Sequence, residues 1–209
     1  KEKKRYVFKD VSLQEQFDKQ GYIQVPFIPA EKVEFLKNRF FETLPQSGGV
    51  IAPADVNTVA LSDITYDFTF IDKNPEYKKL VFDIITAEFA AGVEKYLDNY
   101  KPIIANYIRK KTDGGEVPLH QNWAFVEERK FTSVSIWCPL VDSTISNGTL
   151  QVVPGSHKRF GEFRGPMVPW ELDPIKNDII DKYLVPLETK AGNAVILGDR
   201  LVQYSAINK

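Results

Sequence analysis

The chain carries only two histidines, His120 and His157, and one cysteine, Cys138, so any metal chemistry must be built from few strong ligands. His120 and Asn122 stand at i and i+2 in LHQNW. On a β-strand that spacing turns both side chains to one face. One strand then offers two ligands to a single metal. A non-haem iron(II) oxygenase centre asks for two histidines and one carboxylate on a triangular face, which leaves the other positions for cosubstrate and oxygen. A lone strand histidine also serves as a packed core residue, and spacing by itself does not separate the two roles. A zinc site of several Cys and His is nearly excluded by count.

The remaining reactive residues give weaker patterns. Glu127-Glu128 could form an acid/base pair, but neighbours on a strand face opposite ways, which favours a solvated edge. Arg109, Lys110 and Lys111 form a basic cluster at a strand end, suited to a carboxylate or phosphate or simply to solvent. Arg159, Arg164 and Trp170 lie in a long insertion and are candidates for substrate contact. Ser156 has no base beside it and does not read as a nucleophile. Cys138 alternates onto an apolar face and is expected to be a buried, inert thiol. His157 follows Pro154-Gly155 and is expected to be a structural turn residue. Neither phosphate-cradling glycine motif, GxxxxGK[ST] or GxGxxG, occurs.

The elements that must position these residues fall into two regimes. Up to about residue 100 the pattern is mainly helical. Residues 12–20 form a short helix stopped by Gly21, 22–27 a strand, and Pro29 opens a helix to about Leu44 with Val33, Leu36, Phe40 and Leu44 near one stripe. Residues 46–62 read as a loop and 65–70 as a strand. Asn74-Pro75 starts a helix that runs to about Leu97. After Lys101 strands dominate: 103–111, 116–128, 132–142, 149–153, 184–190, 193–197 and 201–205. Asn147-Gly148, Pro154-Gly155 and Ala191-Gly192 punctuate them as turns. In the third of these strands Val134, Ile136, Cys138 and Leu140 share a face. The expected fold is mainly β with N-terminal helices, a jelly roll packed with helices on one side, and residues 158–183 form an insertion that is either a functional lid or a decorated loop.

Three blocks resemble the phytanoyl-CoA dioxygenase family: GYIQVPFIPAEKVEFLKNRF (21–40), LHQNWAFVEERKFTSVSIWCPLVDSTISNGTLQVVPGSHK (119–158) and AGNAVILGDRLVQYS (191–205). NGTLQVVPGSH is the most specific run. The resemblance implies a double-stranded β-helix, a cupin-like jelly roll, and chemistry in which Fe(II) and 2-oxoglutarate hydroxylate a small organic or lipid-like substrate. The family's first iron ligand lies in a His-x-Asp motif, which His120 matches and Asn122 departs from. Its distal histidine falls at Gln203, a second departure. Gln121, Trp137 and Ser205 align with positions that line the 2-oxoglutarate pocket. An arginine usually lies about ten residues past the distal histidine, and the sequence stops at Lys209.

Both replacements exchange a strong donor for a neutral amide oxygen at nearly unchanged shape, so the fold is kept while iron affinity is expected to fall. Two functions follow. One is an oxygenase of this type, with Asn122→Asp and Gln203→His expected to raise activity. The other is a pseudo-oxygenase that binds a small acid, a sugar or a partner without redox chemistry. The chain is expected to be one domain over residues 1–209, incompletely covered at its C-terminus. Its 27 basic and 28 acidic side chains give a net charge of −1, with no overall drive toward nucleic acid. No apolar stretch approaches the roughly 18 residues of a membrane helix, and a single cysteine fits a reducing, cytoplasmic compartment.

Overall fold

The computed structural model describes residues 5–49, 65–165 and 168–209. From residue 50 onward the loop expected over 46–62 lies outside them, as does Pro166. Helix α1 (Val11–Gln20) is capped by the Asp10 side chain, which accepts from the Leu13 N–H. It ends at Gly21, whose φ of 90° suits a residue without Cβ. Strand β1 (Tyr22–Pro26) follows at once. Helix α2 (Ala30–Thr43) begins behind Pro29. Helix α3 (Pro75–Tyr96) begins behind Asn74, whose side chain accepts from the Glu76 N–H. These starts are the expected ones.

The later strands are β2 (Asp67–Phe68), β3 (Ile108–Arg109), β4 (Val117–His120), β5 (Val134–Trp137), β6 (Leu150–Val152), β7 (Val185–Pro186), β8 (Asn193–Gly198) and β9 (Gln203–Ser205). They form an antiparallel sheet ordered β1-β8-β5, a second ordered β4-β9-β6-β7, and a β2-β3 ribbon. Among the described residues these are separate sheets, with no closed barrel. Because β1 pairs along the whole of β8, the mainly helical first half and the strand-rich second half share one sheet.

Strand β8 sits at the centre of the packing. On one face Ile196 joins Ile23, Val25, Phe17 and Tyr96 beneath the helices. On the other, Val195 and Leu197 meet Leu150 and Val152 of the second sheet and Trp137 of β5. An apolar run such as AVIL is what a strand buried on both faces requires. Helices α2 and α3 join through Leu36, Phe40, Tyr77 and Val81, with Cys138 and Leu140 packed against them. The shared face of Val134, Ile136, Cys138 and Leu140 therefore looks toward the helices, as its alternation implies.

Several strands are shorter than their pattern. Residues 65–70 give only β2 before Thr69–Ile71 turns into a 3-10 helix, 103–111 give only β3, and 116–128 give only β4. Alternation reports which side of a segment is buried, not whether a neighbouring strand is there to pair with it. The insertion 158–183 contains a helix the pattern does not reveal, α4 (Lys176–Lys182), whose single buried residue, Ile179, is too little to make a stripe.

Ile196 is fully buried in the middle strand. Ile196→Ala is expected to lower the unfolding free energy by about 2–5 kcal/mol, the usual cost of such a core cavity. Guanidinium denaturation measures it, and a loss under about 1 kcal/mol would contradict the placement of β8 between two cores.

Candidate active site

Strands β4 and β9 pair antiparallel with Val117 opposite Ser205 and His120 opposite Gln203. Three steps along β4 thus match two along β9, so β4 carries a bulge at Pro118-Leu119. Proline is tolerated there because the ladder is already interrupted. The bulge also corrects the parity. Residues three apart on a regular strand face opposite ways, yet His120 must share a side with its partner Gln203 and with Ser205 two residues further on. All three line one large open cavity between the sheets.

His120 ends the strand, so Asn122 lies just beyond it rather than on the same ladder. Its side chain still faces the ring. His120 Nδ1 lies 2.8 Å from the Pro118 carbonyl oxygen. With its proton on Nδ1 donated there, the neutral ring leaves the Nε2 lone pair free, the arrangement found in metal-bound histidines. Burial pushes the His120 pKa down, while the Pro118 carbonyl and the Asn122 side chain pull the other way. Asn122 Nδ2 donates to Ser135 Oγ (3.0 Å) and Asp199 Oδ1 (3.2 Å), which leaves Oδ1 for the ring side. Gln203 is 9% exposed, and its Nε2 has no hydrogen-bond partner among the described residues. A buried amide with an unused end calls for a ligand, and turning it over presents its oxygen instead. An imidazole nitrogen and two amide oxygens at one cavity wall fit a divalent metal ion, though less strongly than a set with a carboxylate.

Of the residues aligned with the cosubstrate pocket, Trp137 and Ser205 line the same cavity. Ser205 Oγ accepts from Lys110 Nζ at 2.6 Å, and the same ammonium donates to the carbonyls of Ala206 (2.6 Å) and Gly148 (3.1 Å). Lys110 is therefore not the solvated strand end its neighbours suggest. Nor is Arg109, which is half-buried, bonded to Asp67 and laid over the Phe40 and Phe41 rings, whereas Lys111 is solvated beside the same carboxylate. Gln121 lines the cavity as well, but its amide is already engaged. It donates to the Arg200 and Phe160 carbonyls (2.6 and 3.2 Å) and accepts from Trp170 Nε1 (2.9 Å).

The insertion residues are anchors as much as contacts. Arg164 forms a two-pronged ion pair with Glu128 (2.6 and 2.9 Å), donates to the Gly161 carbonyl, and donates from Nε to the Asn122 carbonyl at 2.6 Å. Glu128 is thus drawn into a buried pair, since 121–133 is irregular and not the edge strand that would leave it solvated, while Glu127 stays outside with Lys130. Trp170 packs with Leu119 and Val202, and Arg159 is exposed. His157 sits in the turn Ser156–Lys158, its ring against Gly21 and its Nε2 near the Asp18 carbonyl. Ser156 Oγ accepts from the Val202 N–H, and burial raises the Cys138 thiol to about 12. Motif spacing does not select Asp199, Ser133 or Ser135. The available signal is an aspartate directly after the apolar run of β8, where a carboxylate needs local donors.

The phytanoyl-CoA dioxygenase (PhyH) family model matches residues 17–209. A phytanoyl-CoA dioxygenase domain-containing protein 1 homolog from Dictyostelium discoideum is 29% identical over 173 residues, covering 78% of this chain and 58% of the relative. A Danio rerio protein of the same description is 30% identical over 142 residues, covering 63% and 49%. The chain thus spans about half the length of the curated relatives it matches. Its fold resembles the α-ketoglutarate-dependent carbocyclase SnoK (TM-score 0.59, 18% identity, 95% of this chain and 78% of that one). It also resembles EvdO2 from Micromonospora carbonacea var. aurantiaca in complex with 2-oxoglutarate (TM-score 0.56, 18% identity, 99% and 87%).

Two measurements test the cavity wall. Arg164 and Glu128 are 3% and 13% exposed, so Arg164→Met leaves a buried carboxylate unpaired and is expected to cost about 3–5 kcal/mol in urea unfolding. Arg164→Met/Glu128→Leu should lose clearly less, and equal losses would mean that the pair is not buried. Burial pulls Lys110 down to about 8, against the opposing pull of Glu116. The unfolded chain therefore holds its proton to higher pH than the folded one. Wild-type Tm relative to Lys110→Met should rise as pH goes from about 8 to about 10 and stay level below 8; a difference that stays flat throughout rejects the buried ammonium.

Proposed function

Because the chain belongs to the phytanoyl-CoA dioxygenase family, we propose that its cavity is the active site of a non-haem Fe(II)- and 2-oxoglutarate-dependent dioxygenase that hydroxylates a small organic or lipid-like substrate. The observation that carries this is the meeting of His120, Asn122 and Gln203, with the tautomer of the first set by Pro118 and the amide of the last buried without a partner. These three residues would hold the metal. The first and second sheets are then the two faces of a double-stranded β-helix around it, in a single domain.

Iron(II) held there with 2-oxoglutarate would supply activation of dioxygen, one oxygen atom entering an unactivated C–H bond and the other leaving in succinate as 2-oxoglutarate loses CO2. The chain's part is binding and exclusion. Ser205 and Trp137 face the place a dicarboxylate would occupy, and the Lys110 ammonium stands 2.6 Å behind Ser205 Oγ as a positive charge for it. Gln121 borders this wall and ties it to the insertion. Trp170 would meet the substrate from that side, whereas the Arg164 guanidinium is spent on Glu128 and the Asn122 carbonyl and the exposed Arg159 is not part of the cavity lining. Ile103, Phe125, Phe131 and Phe163 line the mouth and remain exposed, Phe163 by 77%. An apolar rim of this kind suits a hydrophobic substrate and sheds water from the reaction. No helix among the described residues is long and apolar enough to cross a membrane, and a single cysteine suits a cytoplasmic setting.

One observation favours a second reading. Among the described residues no group of three or more His, Cys, Asp or Glu could hold a metal ion. A pseudo-oxygenase would keep the cavity and bind a small acid, sugar or partner without redox chemistry. Anaerobic titration with Fe(II), with and without 2-oxoglutarate, separates the two. Saturable binding that tightens with 2-oxoglutarate, with succinate formed in air, is the expected result. Ligand binding that is indifferent to chelators, with no iron uptake, would establish the second reading instead.

A further inference from the structure

Asn122 is held by a carboxylate. Its Nδ2 hydrogens go to Ser135 Oγ and Asp199 Oδ1, Ser135 Oγ donates to the same Oδ1 at 2.7 Å, and Ser133 Oγ donates to Oδ2. The Asp199 N–H also donates to the Ser133 carbonyl at 3.2 Å. Asp199 is 4% exposed, and among the described residues no Lys, Arg or His pairs with it. With no cation beside it, this buried carboxylate depends on hydroxyl and amide donors alone. It stands on the wall of the cavity that carries His120 and Gln203.

The geometry points to Asp199 as the carboxylate of this centre, set behind Asn122 instead of at the ligand position. The inference rests on the metal-centre reading above. Asp199 is a positioning residue with two effects. It takes one hydrogen of the Asn122 amide, so that with Ser135 holding the other, Oδ1 is fixed toward His120. It also draws on the amide N–H, which enriches Oδ1 in electron density and makes a neutral oxygen a better donor to a cation. Asn122 and Asp199 together perform what one aspartate would at position 122. The simple restoration Asn122→Asp then fails: it replaces the 3.2 Å hydrogen bond to Asp199 by a contact between two carboxylates.

The test is a charge-swap cycle read with cobalt(II), whose visible absorption reports its ligands, and with the Tm of the metal-free protein. Asp199→Asn is expected to weaken Co(II) binding about 10–100-fold, the usual effect of losing the group that orients a ligand, and to change the cobalt spectrum. Asn122→Asp alone should lower the metal-free Tm. The swap Asn122→Asp/Asp199→Asn should recover the Tm and bind Co(II) at least as tightly as wild type. Ser135→Ala, which removes the hydroxyl that accepts from Asn122 and donates to Asp199 while leaving both residues in place, should give a smaller loss of affinity in the same direction, and it serves if Asp199→Asn does not fold. Unchanged affinity and spectrum in Asp199→Asn, or strictly additive Tm shifts, overturn the inference. If wild type takes up no cobalt, the oxygenase reading fails on its own account. The Tm cycle then decides the pairing alone: coupling keeps it and additivity rejects it.

Discussion

A strand with no exposed side constrains everything around it. Every backbone N–H and C=O of β8 must find a partner within the protein, and both rows of its side chains need apolar neighbours. Strand β1 meets the first demand on one edge and β5 on the other, one from each half of the chain. The helices meet the second demand on one face and the second sheet on the other. The strand ends at Gly198, whose N–H donates to the Gly21 carbonyl at 3.0 Å and where a Cβ would crowd the Phe17 ring. Asp199 follows immediately, and the position of its carboxylate is thereby inherited from the most tightly fixed element of the fold. The hydroxyls of Ser133 and Ser135 meet it from β5 and its approach, the strand already bound to β8.

The opposite wall is set by a different device. Strand β4 lies at a sheet edge, where a bulge costs one ladder bond and disturbs no further neighbour. That bulge turns His120 to the side of Gln203 and Ser205 and places the Pro118 carbonyl where it fixes the ring's tautomer. Rigid core strand and irregular edge strand thus divide the task. The first holds the Asp199 carboxylate at a fixed point, and the second aims the His120 ring by a local distortion.

Much of this is legible in the residues. Gly21, Asn74 and Pro75 mark helix ends by local chemistry, and a cap is a property of four or five residues. The alternation of Val134, Ile136, Cys138 and Leu140 gives the correct face because one side meets helices. The same logic overextends the strands at 103–111 and 116–128, where the neighbour is open space and not a ladder. Residues joined only by long-range contact are the least visible. Lys110 looks like one of three solvated cations, and its burial depends on carbonyls near 148 and 206. Glu128 looks like half of an exposed pair until Arg164 arrives from the insertion. Asp199 lies far from Asn122 in the chain, and no spacing rule connects them.

The charges of the cavity wall give these scattered contacts a common sense. Asp199 and Glu128 contribute two carboxylates, Arg164 and Lys110 two cations, and Asn122 joins two of them. Its backbone carbonyl accepts from Arg164, and its side-chain amide donates to Asp199. The backbone of Asn122 is thus tied to the insertion and its side chain to the end of β8. On the reading proposed above, a divalent cation entering this site of low polarisability alone would bring two positive charges, and a dicarboxylate alone two negative ones. Each would offset the other, so the cavity would favour the pair over either member.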